Sequence, residues 1–199
     1  MPASVDYYFT PVSPWAYLGH DRFARLLAET GAAVNVRPVD YGAIFPVSGG
    51  LPLPQRAPQR QAYRLVELRR FSQALGVPLN LQPAHFPVPA QTASHLIIAA
   101  DQARGPTAAL DLAGRMGRAV WAEERNLADP AVLQALLAEA GLPAALLAQA
   151  ADPAIAARYQ AYTQQAIAAG VFGAPSYVID GEIFWGQDRL DFVERRLRG

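Results

Sequence analysis

The chain contains no cysteine. That absence excludes a dithiol redox cycle, a cysteine nucleophile, a disulfide scaffold and thiolate metal sites together. Any thiol chemistry done here must use a borrowed thiol. Lysine is absent as well, every basic residue being arginine, which excludes a Schiff-base lysine and the lysine of a phosphate-binding loop. With three histidines, the acid–base candidates shrink to those imidazoles and the carboxylates. Neither sign of charge is in excess, since 17 Lys+Arg are matched by 17 Asp+Glu, so no global field draws the chain to nucleic acid or anionic membrane. Apolar runs stay far shorter than a membrane span, and the N-terminus lacks a basic segment followed by an apolar one. A soluble, cytoplasmic protein acting on a small molecule is expected.

What is present is enough for a substantial core: 199 residues, 52% of them hydrophobic. The chain is organised around Phe9-Thr10-Pro11-Val12-Ser13-Pro14-Trp15-Ala16-Tyr17-Leu18-Gly19. An apolar run, Val5 to Phe9, precedes it, and Phe23, Leu26 and Leu27 follow at helical spacing, so it reads as the turn from a first strand into a first helix. Ser13 would cap that helix, and Pro14 suits its first position because the missing N–H is not needed there. A structural cap is the plainer reading. The frame adds to it: thioredoxin-like redox proteins place Cys-Pro-x-Cys at such a corner, where free amides and the helix dipole stabilise a thiolate. Here Ser13-Pro14-Trp15-Ala16 occupies that frame without either sulfur.

Helix 14–30 should stop at Gly31, followed by a second strand over 34–39, a βαβ pattern with parallel pairing. Residues 41–59, broken by Gly42, Pro46, Gly49, Gly50, Pro52, Pro54 and Pro58, are expected to be irregular. A helix is expected over 59–75, from Tyr63, Val66, Leu68, Phe71 and Leu75, and a second irregular piece over 79–89. The Ala- and Leu-rich stretch 90–169 suits several helices: 91–104, 107–124 capped by Thr107, one opening at Asp129-Pro130, a short one at Leu142-Pro143, and one opening at Asp152-Pro153. Strand texture returns at Ser176–Asp180 and Ile183–Trp185, joined through Asp-Gly-Glu as a hairpin, before a last helix opening at Gln187-Asp188. This order gives an α/β, thioredoxin-like fold with an inserted all-helical domain, divided as 1–42 plus 171–199 and 43–170.

Gly173-Ala174-Pro175-Ser176 stands where such a fold places a cis-proline facing the first helix. An ordinary X-Pro turn is the alternative. A cis bond would turn the Ala174 amide and carbonyl outward to pair with a bound peptide. Trp185-Gly186-Gln187-Asp188 runs from strand into helix, and free amides at a helix start bind carboxylates, although Asp188 alone reads as a cap.

Phe-x-x-x-Ser-Pro-Trp-Ala-Tyr-Leu, Gly-Val-Phe-Gly-Ala-Pro-Ser-Tyr and Asp-Gly-Glu-Ile-Phe-Trp-Gly-Gln-Asp-Arg-Leu closely resemble the 2-hydroxychromene-2-carboxylate isomerases, relatives of kappa-class glutathione transferases and DsbA. The resemblance spans essentially the whole chain. It implies glutathione as cofactor, with Ser13 beside the sulfur and Ala174, Pro175, Trp185, Gly186, Gln187 and Asp188 holding the tripeptide. It also implies reversible addition of the glutathione thiolate to a conjugated aromatic carboxylate, a role in aromatic-compound breakdown, and a homodimer. The substrate side departs from the pattern. Phe45 is followed by Pro46 where a Lys is expected, and Val88-Pro89 stands where a polar Asn is expected.

Candidates for the substrate side are Trp15, Phe45, Arg56, Arg60, Tyr63 and His85. The arginines offer bidentate carboxylate binding and His85 a base, against the plainer reading of a solvated helix face and an exposed loop. His20 and Asp21 are neighbours that diverge on a helix, so no metal site is expected. The rival enzyme is a kappa-like glutathione transferase that consumes its thiol. From another class, the rival is a non-catalytic thioredoxin-like module binding peptides or thiols.

Overall fold

The computed structural model describes residues 3–199; Met1 and Pro2, part of the expected segment 1–42, lie outside the described residues. Strand β1 (Ser4–Phe9) leads through the Ser13 turn into helix α1 (Pro14–Thr30) and strand β2 (Ala33–Pro38). Helices α2 (Tyr41–Ser48), α3 (Pro58–Leu75), α4 (Gln91–Arg104), α5 (Pro106–Trp121), α6 (Pro130–Glu139), α7 (Leu146–Gln149) and α8 (Pro153–Ala168) follow. The chain then returns to strands β3 (Ser176–Ile179) and β4 (Glu182–Trp185), a 3-10 turn (Gln187–Arg189) and helix α9 (Leu190–Arg198). This is the order expected of the thioredoxin-like fold with helices inserted between its halves.

The sheet runs β2-β1-β3-β4, with β1 and β2 parallel and β3 antiparallel to both β1 and β4. Local chemistry explains its turns. Gly31 ends α1 in the left-handed region at φ 66 and returns its N–H to the Leu27 carbonyl, a conformation that favours glycine. Asp180 and Gly181 both have positive φ, 50 and 84, the signature of the two-residue hairpin turn that matches strand twist.

Alternation along the strands sorts side chains onto two cores. Val5, Tyr7, Phe9, Tyr177 and Ile179 join Phe23 and Leu26 of α1 in a buried cluster that runs on through α4, α5, α6 and α8. Its centre is aromatic, with Tyr7 stacked 4.4 Å from Phe9 and 5.3 Å from Tyr177. On the opposite face Tyr8 and Val178 pack with Tyr41, Ile44 and Ala166.

The structure corrects three expectations. The stretch 41–59 is not irregular throughout: it holds α2 and a 3-10 turn at Leu53–Gln55. Asp40 caps α2 by accepting the Gly42 N–H at 2.7 Å, and burial of Tyr41 and Ile44 against the sheet outweighs the single backbone bond that Pro46 removes. Helix α5 begins at Pro106, after Gly105 at φ 83, and not from a Thr107 cap, and it ends at Trp121. The Leu142-Pro143 helix is reduced to Leu146–Gln149, preceded by a turn in which Pro143 O accepts the Leu146 N–H.

Candidate active site

Register gathers the site at one end of the sheet. The chain leaves β1 at Phe9 toward Ser13, while antiparallel pairing sets Tyr8 opposite Ser176 and Ser176 opposite Trp185. The Ser13 turn, the Gly173–Pro175 segment and the Trp185–Asp188 segment therefore emerge side by side, although about 160 residues separate the first from the others in sequence.

Ser13 is 7% exposed and has the extended backbone of a cap, φ −78 and ψ 122. Its Oγ accepts the Ala16 N–H at 3.2 Å, and its own N–H donates to Thr10 O at 3.0 Å. A hydroxyl that accepts from the helix keeps its proton free to donate. That proton sits at the positive end of the 17-residue helix α1.

The Ala174-Pro175 bond is cis. The segment is fixed from both sides: Gly173 O accepts hydroxyls from Tyr41 at 2.9 Å and Ser176 at 2.7 Å, and Pro175 O accepts the Gly186 N–H at 2.9 Å. Burial pushes the Tyr41 and Tyr177 phenols well above their ordinary range, so both stay neutral. Gly173 has to be small, because a Cβ there would overlap the Trp185 indole. Trp185 is 51% exposed and leans on Phe172 with ring centroids 4.8 Å apart.

In the last turn, Gly186 adopts φ 100 and Arg189 N–H returns to Gly186 O. Gln187 turns its side chain inward, 2% exposed, with Nε2 unpartnered among the described residues. Its contribution to the surface is therefore backbone. Asp188 is exposed and ion-pairs with Arg189 at 3.2 Å, and its side chain makes no cap bond.

Trp15, two residues after Ser13, is half-buried and meets Phe71 of α3 edge-on at 5.9 Å. Phe45 is half-buried, tilted on Tyr41 at 5.6 Å. Arg56 anchors its Nε on Leu51 O at 2.8 Å, and partial burial followed by the charge of Arg60 pulls its guanidinium below the ordinary value. Arg60, Tyr63 and His85 are exposed. The structure thus leaves Trp15, Phe45 and Arg56 half-buried and the other three at the surface.

Two residues escaped the sequence reading. Trp121 is fully buried and donates its indole N–H to Val12 O at 3.2 Å, immediately before Ser13. Arg64 lies over the rings of Trp121 and Phe86, 5.7 Å from each centroid, and burial followed by repulsion from Arg56 lowers its guanidinium to about 10. The available signal was its spacing from Leu68 and Phe71, which put it on the inner face of α3.

A cysteine-free serine corner beside a cis-proline defines a thioredoxin-like protein of the DsbA class that has dispensed with its own thiols. The DSBA-like thioredoxin domain model matches residues 4–198. The chain belongs to that family, and within it to the 2-hydroxychromene-2-carboxylate isomerases. It is 31% identical to the 2-hydroxychromene-2-carboxylate isomerase of Sphingobium xenophagum, over 99% of each chain. A solved structure of a 2-hydroxychromene-2-carboxylate isomerase superposes with TM-score 0.80 at 26% identity, covering 98% of this chain and 94% of that one. Human glutathione S-transferase kappa 1 is 23% identical over 99% of this chain and 92% of its own.

Proposed function

We propose that this protein is a glutathione-dependent isomerase of 2-hydroxychromene-2-carboxylate or a similar conjugated aromatic carboxylate. The observation that carries the reading is Ser13, a buried hydroxyl at the N-terminus of α1, beside the cis Ala174-Pro175 segment, in a chain with no cysteine.

The donor set fits the thiolate of glutathione. Because the Ser13 oxygen already accepts the Ala16 N–H, its hydroxyl proton can be given to an anionic sulfur, a charge-assisted bond. The positive end of α1 favours the same charge. Ala174, Pro175, Trp185, Gly186, Gln187 and Asp188 would hold the tripeptide, Gln187 through its backbone. Glutathione, when bound, supplies a nucleophilic thiolate that is returned unchanged. Ser13 holds that negative charge in place and need not ionise.

In this reading the thioredoxin-like segments 1–42 and 171–199 form the glutathione half of the site, and the helical segment 43–170 supplies the substrate half. Trp15 and Phe45 offer aromatic walls there, and Arg56 offers a cation. In this reading the protein acts in aromatic-compound breakdown, in the cytoplasm and as a homodimer. Among the described residues no helix is long and apolar enough to cross a membrane.

The test is conversion of 2-hydroxychromene-2-carboxylate to trans-o-hydroxybenzylidenepyruvate with glutathione present in trace amount. Turnover that requires glutathione and leaves its concentration unchanged is expected. Stoichiometric loss of glutathione would make the protein a kappa-like transferase, and no turnover together with no glutathione binding would leave a thioredoxin-like binding module.

A further inference from the structure

Helix α3 carries a cation, Arg64, that no carboxylate neutralises among the described residues. Arg64 is partly buried on the inner face of α3, and no hydrogen bond or ion pair holds its guanidinium among the described residues. Its surroundings are two aromatic rings, Phe86 and Trp121, each 5.7 Å away, and a second arginine, Arg56. Arg56 is itself only partly used: its Nε holds Leu51 O at 2.8 Å, and its other two nitrogens carry no bond among the described residues. Two like charges brought together under partial burial are unfavourable unless an anion joins them.

Position gives this pair its meaning. The Trp121 ring that Arg64 covers donates its N–H to Val12 O, so one indole separates the guanidinium from the residue before Ser13. The glutathione-holding segments, Ala174-Pro175 and Trp185 to Asp188, come from β3 and β4, whereas Arg64 approaches from α3.

We infer that Arg64, with Arg56 beside it, receives the carboxylate of the conjugated substrate and so orients its ring against the aromatic wall beside Ser13. This rests on the isomerase reading for the identity of the substrate. The chemistry is that of a planar guanidinium fork meeting a carboxylate, charge-assisted and geometrically specific. Glutathione also carries carboxylates, and the approach of Arg64 from the α3 side assigns it to the substrate. Cation–π contact alone does not account for the arrangement, because a guanidinium placed only to cover rings gains nothing from a neighbouring arginine.

The experiment compares binding of cinnamate, a flat conjugated carboxylate, with that of its neutral amide, in wild type, Arg64→Met and Arg64→Lys. Wild type should prefer cinnamate, Arg64→Met should lose that preference by about tenfold to a hundredfold in cinnamate affinity, and Arg64→Lys should keep part of it. Glutathione affinity should not change in either variant. The thermal midpoint of Arg64→Met should stay level or rise, because an unpaired, partly buried charge is removed. The assignment is overturned if wild type shows no preference for the anion, if the preference survives Arg64→Met, or if glutathione binding weakens as much as cinnamate binding. Failure of the isomerase reading would appear separately, as absence of chromene turnover by wild type.

Discussion

Gly19 and Gln187 touch across the contact between α1 and the turn that follows β4: a Cβ at position 19 would stand 2.6 Å from Gln187 Cβ and 3.4 Å from its Cα. The helix that Ser13 caps is thereby keyed to the segment proposed to hold glutathione. Gly19→Ala gains helix propensity of about 1 kcal/mol, but overpacking costs roughly 1–3 kcal/mol, and the atom met is the Gln187 Cβ, whose position the backbone fixes so that no rotamer change relieves the clash. A net loss of about 1 kcal/mol in urea denaturation is expected, with glutathione affinity falling several-fold in calorimetry. An affinity equal to wild type would break the link between the two elements.

Trp121→Phe keeps an aromatic ring under Arg64 but deletes the N–H that Val12 O accepts at 3.2 Å. A stability loss of about 1 kcal/mol is expected. Because that bond steadies the loop entering Ser13, kcat should fall by more than the small rise in glutathione KM. Loss of stability with kcat intact would restrict Trp121 to packing.

Acid should weaken the fold through two histidines. Burial lowers His20 and His95 below their ordinary value of 6.5, and charges of Asp21 and Asp111 only partly offset this at His20. Below 6.5 the unfolded chain then binds more protons than the native one, so stability falls as pH drops through that window and is flat above it. His95 is 9% exposed with Nε2 unpartnered among the described residues. His20→Gln with His95→Gln should flatten the dependence of denaturation midpoint on pH between 5 and 7, by the linkage slope. A slope unchanged in the double variant would move the acid sensitivity to other groups.

Removing the cap itself has a cost apart from chemistry. Ser13→Ala leaves the Ala16 N–H without its 3.2 Å partner, a loss of about 1 kcal/mol. Thermal denaturation without ligand measures it, and a variant as stable as wild type would show that water replaces the cap fully.

The parts of the fold that could be read from the sequence were those written in neighbouring residues. Ser13-Pro14, Gly31 and Asp180-Gly181 each force a local backbone state, and each stands where its chemistry indicated. Helix α2 could not be read this way, because Gly42 and Pro46 argue against a helix locally and the buried contacts of Tyr41 and Ile44 are made with distant strands. Helix α3 was legible as a helix, but its faces were not. Tyr63 and Val66 are apolar yet exposed, whereas Arg64 is half-buried on the same face as the buried Leu68 and the half-buried Phe71. The inward turn of Gln187 was also hidden, since the room for it comes from Gly19, far away in the chain.

The most direct test of a borrowed thiol held by Ser13 is the pKa of glutathione bound to wild type and to Ser13→Ala, followed by ultraviolet absorbance of the thiolate. A free thiol titrates at about 8–9. Bound to wild type it should titrate at least one unit lower, and Ser13→Ala should still bind glutathione but lose most of that shift. An equal shift in both proteins would contradict the role assigned to Ser13, and absence of glutathione binding by wild type would contradict the proposed function as a whole.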